Sequence, residues 1–190
     1  MHERLSTLSV TLMTLAAFTD MVDRHQHALY TFLRNLVSDA EQAYDLMQDT
    51  FQEAWRASRA GADPLIAECT DDQRRRWLFQ VAYHRGISAL RRRKLIRWES
   101  LDLLREMAAK PAGDTGSFEE QIVESEALRA ALARLTSQDA ACLLLRVAHG
   151  FSAAEVGQIM GVAPNSVAKR LSRAKQRLRA VYLAHNEEAR

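Results

Sequence analysis

The run Ala43-Tyr44-Asp45-Leu46-Met47-Gln48-Asp49-Thr50-Phe51-Gln52-Glu53-Ala54-Trp55 decides the architecture. Ala43, Leu46, Met47, Thr50, Phe51, Ala54 and Trp55 fall at i, i+3, i+4, i+7, i+8, i+11 and i+12, which on a helix is one continuous buried stripe. Asp45, Gln48, Asp49, Gln52 and Glu53 then share the opposite, outer face. In a strand the same residues would scatter over both sides of a sheet.

Upstream of this run, Ala28, Leu29, Phe32, Leu33, Leu36 and Val37 repeat with the same helical spacing, and Asp39 marks the cap between the two helices. The stretch from Leu5 to Phe18 is apolar, but Ser and Thr interrupt it and Asp20 bounds it. It is too short for a spanning helix, which needs about 20 apolar residues, and reads as an extension leading into the first helix. Residues 1–23 are therefore assigned to an N-terminal extension and no membrane insertion is expected.

Downstream, Gly61, Asp63 and Pro64 end the pattern, with a possible cap at Thr70 or Asp71. A further helix starts near Arg74, with Trp77, Leu78, Val81, Ala82, Ala89 and Leu90 on one side and Arg91, Arg92, Arg93 and Lys94 toward its end. From Ser100 to Ser117 periodicity fades around Pro111, Gly113, Asp114 and Gly116, the pattern of a flexible tether. Fully stretched at about 3.3 Å per residue it would reach roughly 60 Å, far enough to let two domains separate. A second domain opens through Ile122, Leu128, Ala131, Leu132 and Leu135. Thr136-Ser137-Gln138-Asp139 caps the next helix, which is expected to bury Ala141, Leu144, Leu145 and Ala148 and to stop at Gly150. Seven Gly and three Pro in 190 residues agree with an all-α chain of two small helical domains, at 24–99 and 118–185, joined by a linker at 100–117.

Net charge is only +2, yet the charges are sorted along the chain. Leu36 to Glu53 holds five acids and no base, whereas Arg74 to Trp98 holds nine Lys or Arg and no acid. Glu99 to Glu126 holds eight acids against Arg105 and Lys110, and Asn165 to Tyr182 holds six cations and no acid. Two separate basic surfaces follow. Cys69 and Cys142 stand far apart without a CxxC, and no histidine has zinc-ligand spacing. The thiols read as inert in a reducing cytoplasm, and neither a metal nor a cofactor is expected. Scattered histidines and carboxylates, with no glycine-rich phosphate loop, give no catalytic constellation.

In the last third, Ser152-Ala153-Ala154-Glu155 is a capping box opening a short helix that Gly161 closes, and Pro164 suits the first position of another. That helix buries Val167, Leu171, Ala174, Leu178 and Val181 and turns Asn165, Lys169, Ser172, Arg173 and Gln176 outward. Helix, tight turn and basic helix form a helix-turn-helix, whose second helix enters the major groove. Lys169 and Arg173 can donate to guanine, a contact that discriminates by about 1–3 kcal/mol.

The earlier basic segment differs, because Trp77, Phe79, Tyr83 and Trp98 are interleaved with Arg74, Arg75, Arg76, His84 and Arg85. Aromatic faces stack unpaired bases for roughly 1–3 kcal/mol each while arginines track the backbone, so such a surface suits single-stranded DNA. The competing reading is that Trp77 and at least one other aromatic are core.

From Arg24 onward these residues resemble the extracytoplasmic-function group of sigma factors. Tyr44 to Phe51 with Ala54-Trp55-Arg56 resembles the group's polymerase-binding helix. Trp77 to Ala82 through Ile87 to Arg92, with Glu99-Ser100-Leu101-Asp102 as its exit, is similar to the helix that melts and reads the minus-ten element. Gly150-Phe151-Ser152 through Glu155-Val156, then Met160-Gly161-Val162 and Val167 to Lys175, resembles the domain that reads the minus-thirty-five element.

The resemblance implies partners: core RNA polymerase at Asp45, Gln48, Asp49, Gln52 and Glu53, promoter DNA as duplex and melted strand, and an anti-sigma protein. It places minus-ten contacts at Arg74, Arg75, Arg76, Trp77, Tyr83, His84, Arg85, Arg91 and Arg92. It places minus-thirty-five contacts at Asn165, Ser166, Lys169, Arg170, Ser172, Arg173 and Lys175. It implies a cytoplasmic, non-enzymatic regulator of transcription in a stress or envelope response. His84 and Arg85 stand where many members have an Asn and an apolar residue, Ser88 replaces a frequent Asp, and Ala168 a frequent base, which leaves the promoter sequence open. The loop from Arg59 to Gln73, at the position of the group's base-capturing loop, is long for the group. The alternative is a helix-turn-helix regulator that acts without polymerase. Such a protein would have no use for the Asp45 to Trp55 helix followed by a basic aromatic one.

Overall fold

The computed structural model describes residues 13–59, 70–101 and 129–188, with side chains at 96–101 and 181–188 left aside. Among the described residues every regular element is helical. The expected linker, the loop after Ala60, Cys69, the start of the second domain and residues 1–12 lie outside the described residues.

Helix α1 spans Leu15–Val37, capped by Thr14, whose side chain accepts a hydrogen bond from the Ala17 amide at 3.2 Å. It begins well before position 24, so residues 15–23, read from sequence as an extension, belong to the first domain's helix. Met21 is buried in the core, and the periodic pattern beginning at Ala28 continues an earlier run. Ser38 ends α1 in the left-handed region at φ 59°, donating to the Arg34 carbonyl. Asp39 caps α2, Ala40–Arg59, by accepting from the Gln42 amide at 3.0 Å. So short a connection makes α1 and α2 antiparallel neighbours. Helix α3, Asp71–Leu101, opens with a reciprocal cap: the Gln73 side chain accepts from the Thr70 amide at 2.9 Å and the Gln73 amide donates to the Thr70 hydroxyl.

The first core joins Leu29, Phe32 and Leu33 of α1, Ala43 and Ala54 of α2, and Leu78 and Ala82 of α3, all fully buried. Fully burying a Leu or Phe side chain is worth about 1.5–3 kcal/mol, so this stripe outweighs the modest propensities of its helices. Thr50 belongs to it without penalty, because its hydroxyl donates to the Leu46 carbonyl at 2.7 Å. Gly86 lets α3 press on α1: a Cβ there would stand 2.9 Å from a Leu36 methyl.

In the second domain residues 129–133 are helical. Thr136 caps α4, Ser137–Leu143, which widens into a π-helical turn over Leu144–Ala148. The wider turn rotates Ala148 outward, so this residue is exposed rather than core as the sequence pattern suggests. Gly150, at φ 73°, turns the chain into α5, Ala153–Met160, opened by the Ser152 and Glu155 capping box. Gly161 at φ 66° closes α5, and α6 runs Pro164–Glu188. Gly157 is dictated by the turn, since a Cβ there would meet the Val162 carbonyl oxygen at 2.8 Å. Leu145, Val156, Ile159, Val167 and Ala174 form the core. Cys142 is buried beneath it, and burial pushes its thiol up to about 11, an unreactive state.

The domains are not separated. Helix α3 packs against α1 and α2 on one side and against α4 and α5 on the other. Phe79 lies with its ring 5.4 Å from Phe32 of its own domain, and 4.9 and 5.0 Å from His149 and Phe151 of the second. The expectation of two far-apart basic surfaces is therefore corrected for this arrangement: a second buried face on α3 brings them side by side.

Candidate polymerase and nucleic-acid interfaces

The outer face of α2 is as the sequence predicts. Asp45, Gln48, Asp49 and Gln52 are exposed and Glu53 is half-buried. Arg85 reaches over from α3, its guanidinium 3.1 Å from Asp49 and also paired with Glu53. Beside this face is an apolar groove of about 420 Å³. Phe18 and Trp55 meet there edge to face at 4.9 Å, and Tyr44 stays half exposed.

The basic face of α3 divides in two. His84, Arg91 and Arg92 are exposed. Arg74, Arg75 and Arg76 are half-buried, and the last two reach across to the second domain. The Arg75 guanidinium lies 4.3 Å from the Phe151 ring centre and 5.6 Å from that of Phe79, and donates to the His149 carbonyl. Arg76 donates to the Gln158 side chain at 2.9 Å and lies 3.6 Å from Glu155. Arg74 lies 3.8 Å from Asp71, a carboxylate it shares with Arg24 and His25. Trp77 is half-buried against the core and Tyr83 is 4% exposed. Tyr83 therefore presents no free stacking face in the closed arrangement, as the competing core reading has it, whereas Trp77 keeps part of its surface uncovered. The physical reason is again the second packed face of α3.

Burial also sets the electrostatics of this boundary. It drives the His149 imidazole down to about 4, with the nearby Arg75 charge adding to the effect, so the ring is neutral at neutral pH. Burial raises the Tyr83 hydroxyl above its ordinary value. At the turn into α5, hydrogen bonds from Ser152 hold the Glu155 carboxyl below its usual value.

On α6, Asn165, Ser166, Lys169, Ser172, Arg173 and Lys175 are all exposed. Arg170 is not part of that free set. It is half-buried, 3.4 Å from Asp139, whose other oxygen is 3.5 Å from Arg177. Asp139 is 3% exposed, and sequence reading gave it only a capping role. Its partners lie on another helix, 31 and 38 residues away, beyond the reach of any local pattern. His149, Phe151 and Gln158 were likewise missed as boundary residues. Phe79, an aromatic off the main stripe of α3, was the one visible signal.

Among the described residues no group of His, Cys, Asp and Glu could hold a metal ion, and no helix is long and apolar enough to cross a membrane. What the arrangement offers is an acidic helix face, a helix-turn-helix with a free cationic side, and a basic helix between them.

Two segments of the chain match known family models. The family described as Sigma-70 region 2 matches residues 21–62, and Sigma-70, region 4 matches residues 125–178. The ECF RNA polymerase sigma factor SigL of Mycobacterium tuberculosis is 26% identical over 159 residues, covering 84% of this chain and 85% of SigL. The RNA polymerase sigma factor CnrH of Cupriavidus metallidurans is 28% identical over 179 residues, 90% of each chain. Among solved structures, the sigma factor RpoE in complex with the anti-sigma factor NepR from Bartonella quintana is similar with a TM-score of 0.65 and 26% identity. That match covers 88% of this chain and 98% of RpoE, and so takes in both domains. CnrH in complex with the cytosolic domain of CnrY shares the fold, with a TM-score of 0.62 at 22% identity over 90% of each chain. Helix order, the paired regions and these relatives together place the chain in the sigma-70 family, among the extracytoplasmic-function sigma factors.

Proposed function

We propose that this chain is a specificity subunit of RNA polymerase that directs initiation at chosen promoters and is restrained by an anti-sigma partner. The observation that carries this reading is the simultaneous exposure of two unlike faces on one chain. The polar, acidic side of α2 at Asp45, Gln48, Asp49 and Gln52 is free for a protein partner. The leading side of α6 at Asn165, Ser166, Lys169, Ser172 and Arg173 is free for duplex DNA. A repressor needs only the second.

In the proposed sequence of events, α2 docks on core polymerase and α6 lays Lys169 and Arg173 into the upstream major groove, where base contacts specify and neighbouring cations neutralise phosphate. The exposed end of α3, with His84, Arg91 and Arg92, meets the minus-ten element. Arg75 and Arg76 join it only after leaving the second domain. Promoter capture thus requires the domains to part, and once both are engaged, tethering makes the second contact intramolecular. Similarity to RpoE in its NepR complex, over both domains, supports reading the closed arrangement as the restrained form.

The test is reconstituted transcription, with transcripts sequenced from core polymerase with and without the chain. New, defined start sites are expected only with it. Gln48→Ala should lower recovery with core polymerase while the helical content stays unchanged. A chain that shifts promoter duplex tightly by itself and leaves polymerase start sites unaltered would overturn the proposal.

A further inference from the structure

We infer that Arg85 is a shared residue, held by the α2 carboxylates in the free chain and passed to the minus-ten DNA backbone when polymerase takes those carboxylates. This deepens the proposed function and rests on it, because the faces that share Arg85 are the ones assigned there to polymerase and to DNA.

Arg85 leaves α3 beside the exposed His84 and is itself half-buried. Its Nε donates to Glu53 at 3.1 Å, one terminal nitrogen donates to Asp49 at 3.1 Å, and the other is paired with Glu53. Every guanidinium nitrogen is thus engaged with a carboxylate of another helix. The match is uneven, one cation to two acids, so the trio still attracts positive charge while its own cation is occupied. Among the described residues no other cation forms an ion pair with either acid. A protein partner that grips α2 through cations of its own therefore displaces Arg85.

The bridge is suited to exchange. The Asp49 side chain is 53% exposed and that of Glu53 45%, and ion pairs so open to water contribute little to stability. Asp139 is the contrast: it is almost wholly buried, so Arg170 and Arg177 cannot leave without stranding an acid.

Once released, Arg85 has a place to go. Arg85, Ser88 and Arg92 stand at i, i+3 and i+7 on α3, along one side of that helix, and Ser88 and Arg92 are exposed. A DNA strand lying along this side meets Arg85 after a rotamer change of its flexible aliphatic stem, with α3 itself unmoved. The planar, permanently charged guanidinium suits a phosphate, so the contact adds strength to capture rather than sequence preference. Each binding event frees the group that the other needs, and by linkage each strengthens the other by the same factor. A chain that has not met polymerase keeps this cation from DNA.

The experiment uses the full chain, with Arg85→Met deleting the charge but keeping the stem, and Arg85→Lys keeping the charge but losing the fork. Affinity for core polymerase is read by anisotropy of the fluorescein-labelled chain. DNA affinity is read at saturating core polymerase, on a forked duplex whose single-stranded minus-ten segment comes from start sites mapped with the wild-type chain. Arg85→Met should bind core polymerase about two- to fivefold more tightly, as removal of an internal competitor of surface strength dictates. It should bind the fork about fivefold or more weakly. Its slope of log affinity against log salt should fall by roughly 0.7–0.9, the signature of one lost phosphate contact. A residue that merely ties α2 to α3 would weaken both bindings on deletion. Arg85→Lys should also bind core polymerase more tightly while keeping most of the fork affinity and the wild-type slope. Circular dichroism checks that both variants keep wild-type helical content. Weaker core binding by either variant, or an unchanged salt slope in Arg85→Met, would overturn the shared role. A wild-type chain that yields no start sites sinks the promoter reading and the shared role with it. Mapped start sites with Arg85→Met equal to wild type in both affinities sink the shared role alone.

Discussion

Helices α3 and α6 carry comparable runs of arginine, yet the two runs are in different states. On α3, Arg75 is stacked against Phe151 and Phe79, Arg76 is bonded to Gln158, and Arg85 is paired with Asp49 and Glu53. On α6, Lys169, Arg173 and Lys175 are exposed and form no ion pair among the described residues. The difference teaches that a basic segment is not by itself a free basic surface. Arg75 and Arg76 of α3 join the two domains and can reach DNA only by giving up protein contacts, whereas the exposed cations Lys169, Arg173 and Lys175 of α6 give up no ion pair among the described residues.

That contrast can be broken most forcefully at the ring which receives Arg75. Phe151→Ala empties a site that is 2% exposed. It should destabilise the chain by about 3–5 kcal/mol in denaturant unfolding. Radius of gyration by small-angle scattering should rise in the same variant. A compact, stable Phe151→Ala protein would show that the boundary does not depend on this cluster.

Asp139→Ala should cost less, about 1–3 kcal/mol, because Arg170 and Arg177 lose a buried acceptor but keep access to water. Chemical denaturation reads the loss. Arg170 would then join the free cations, sharpening the likeness of α6 to an open DNA-binding helix.

Acid should loosen the boundary without any mutation. Folding lowers the His149 pKa from its ordinary 6.5 to about 4. Between those values the unfolded or opened chain takes up a proton that the closed chain does not, so stability is lost as pH falls from 6.5 toward 4 and is retained above 6.5. His25 is shifted in the same direction within the first domain, again chiefly by burial, so a distance between the two domains is the cleaner observable. Fluorescence energy transfer across the boundary should fall over this window. His149→Phe should flatten the response, and an unchanged pH profile in that variant would assign the effect elsewhere.

The smallest effect is expected at Lys169→Ala. Stability should stay within about 0.5 kcal/mol of the wild type, as for exposed residues without partners. Transcription from minus-thirty-five-dependent promoters should drop while recovery with polymerase is unchanged.

The features legible in the sequence were those that act locally. The stripe from Ala43 to Ala54, the Asp39 cap, the Ser152 and Glu155 capping box, Gly161 and Pro164 are each set by neighbours within a turn or two and are found in place, while Trp55 at the end of the stripe is only half-buried. Most of the α6 face was legible for the same reason: one buried side leaves the other to face out. Helix α3 resisted reading because it buries two sides. With Leu78 and Ala82 on one and Phe79, Tyr83 and Ile87 on the other, its apolar pattern loses a single period. Its aromatics then resemble stacking platforms. The Asp139 pair and the Arg75 stack were invisible because each joins residues far apart in the chain.

One consequence follows from the bridge between Arg85 and the α2 carboxylates. The ridge that looks strongly acidic in one dimension is partly self-neutralised in three, so it offers a visiting protein less negative potential than Asp45, Asp49 and Glu53 would together. Added salt weakens the internal bridge along with any external attachment. As ionic strength rises, screening thus liberates the very carboxylates a newcomer would grip, and attachment through this ridge should decline more gently with salt than a count of its charges suggests.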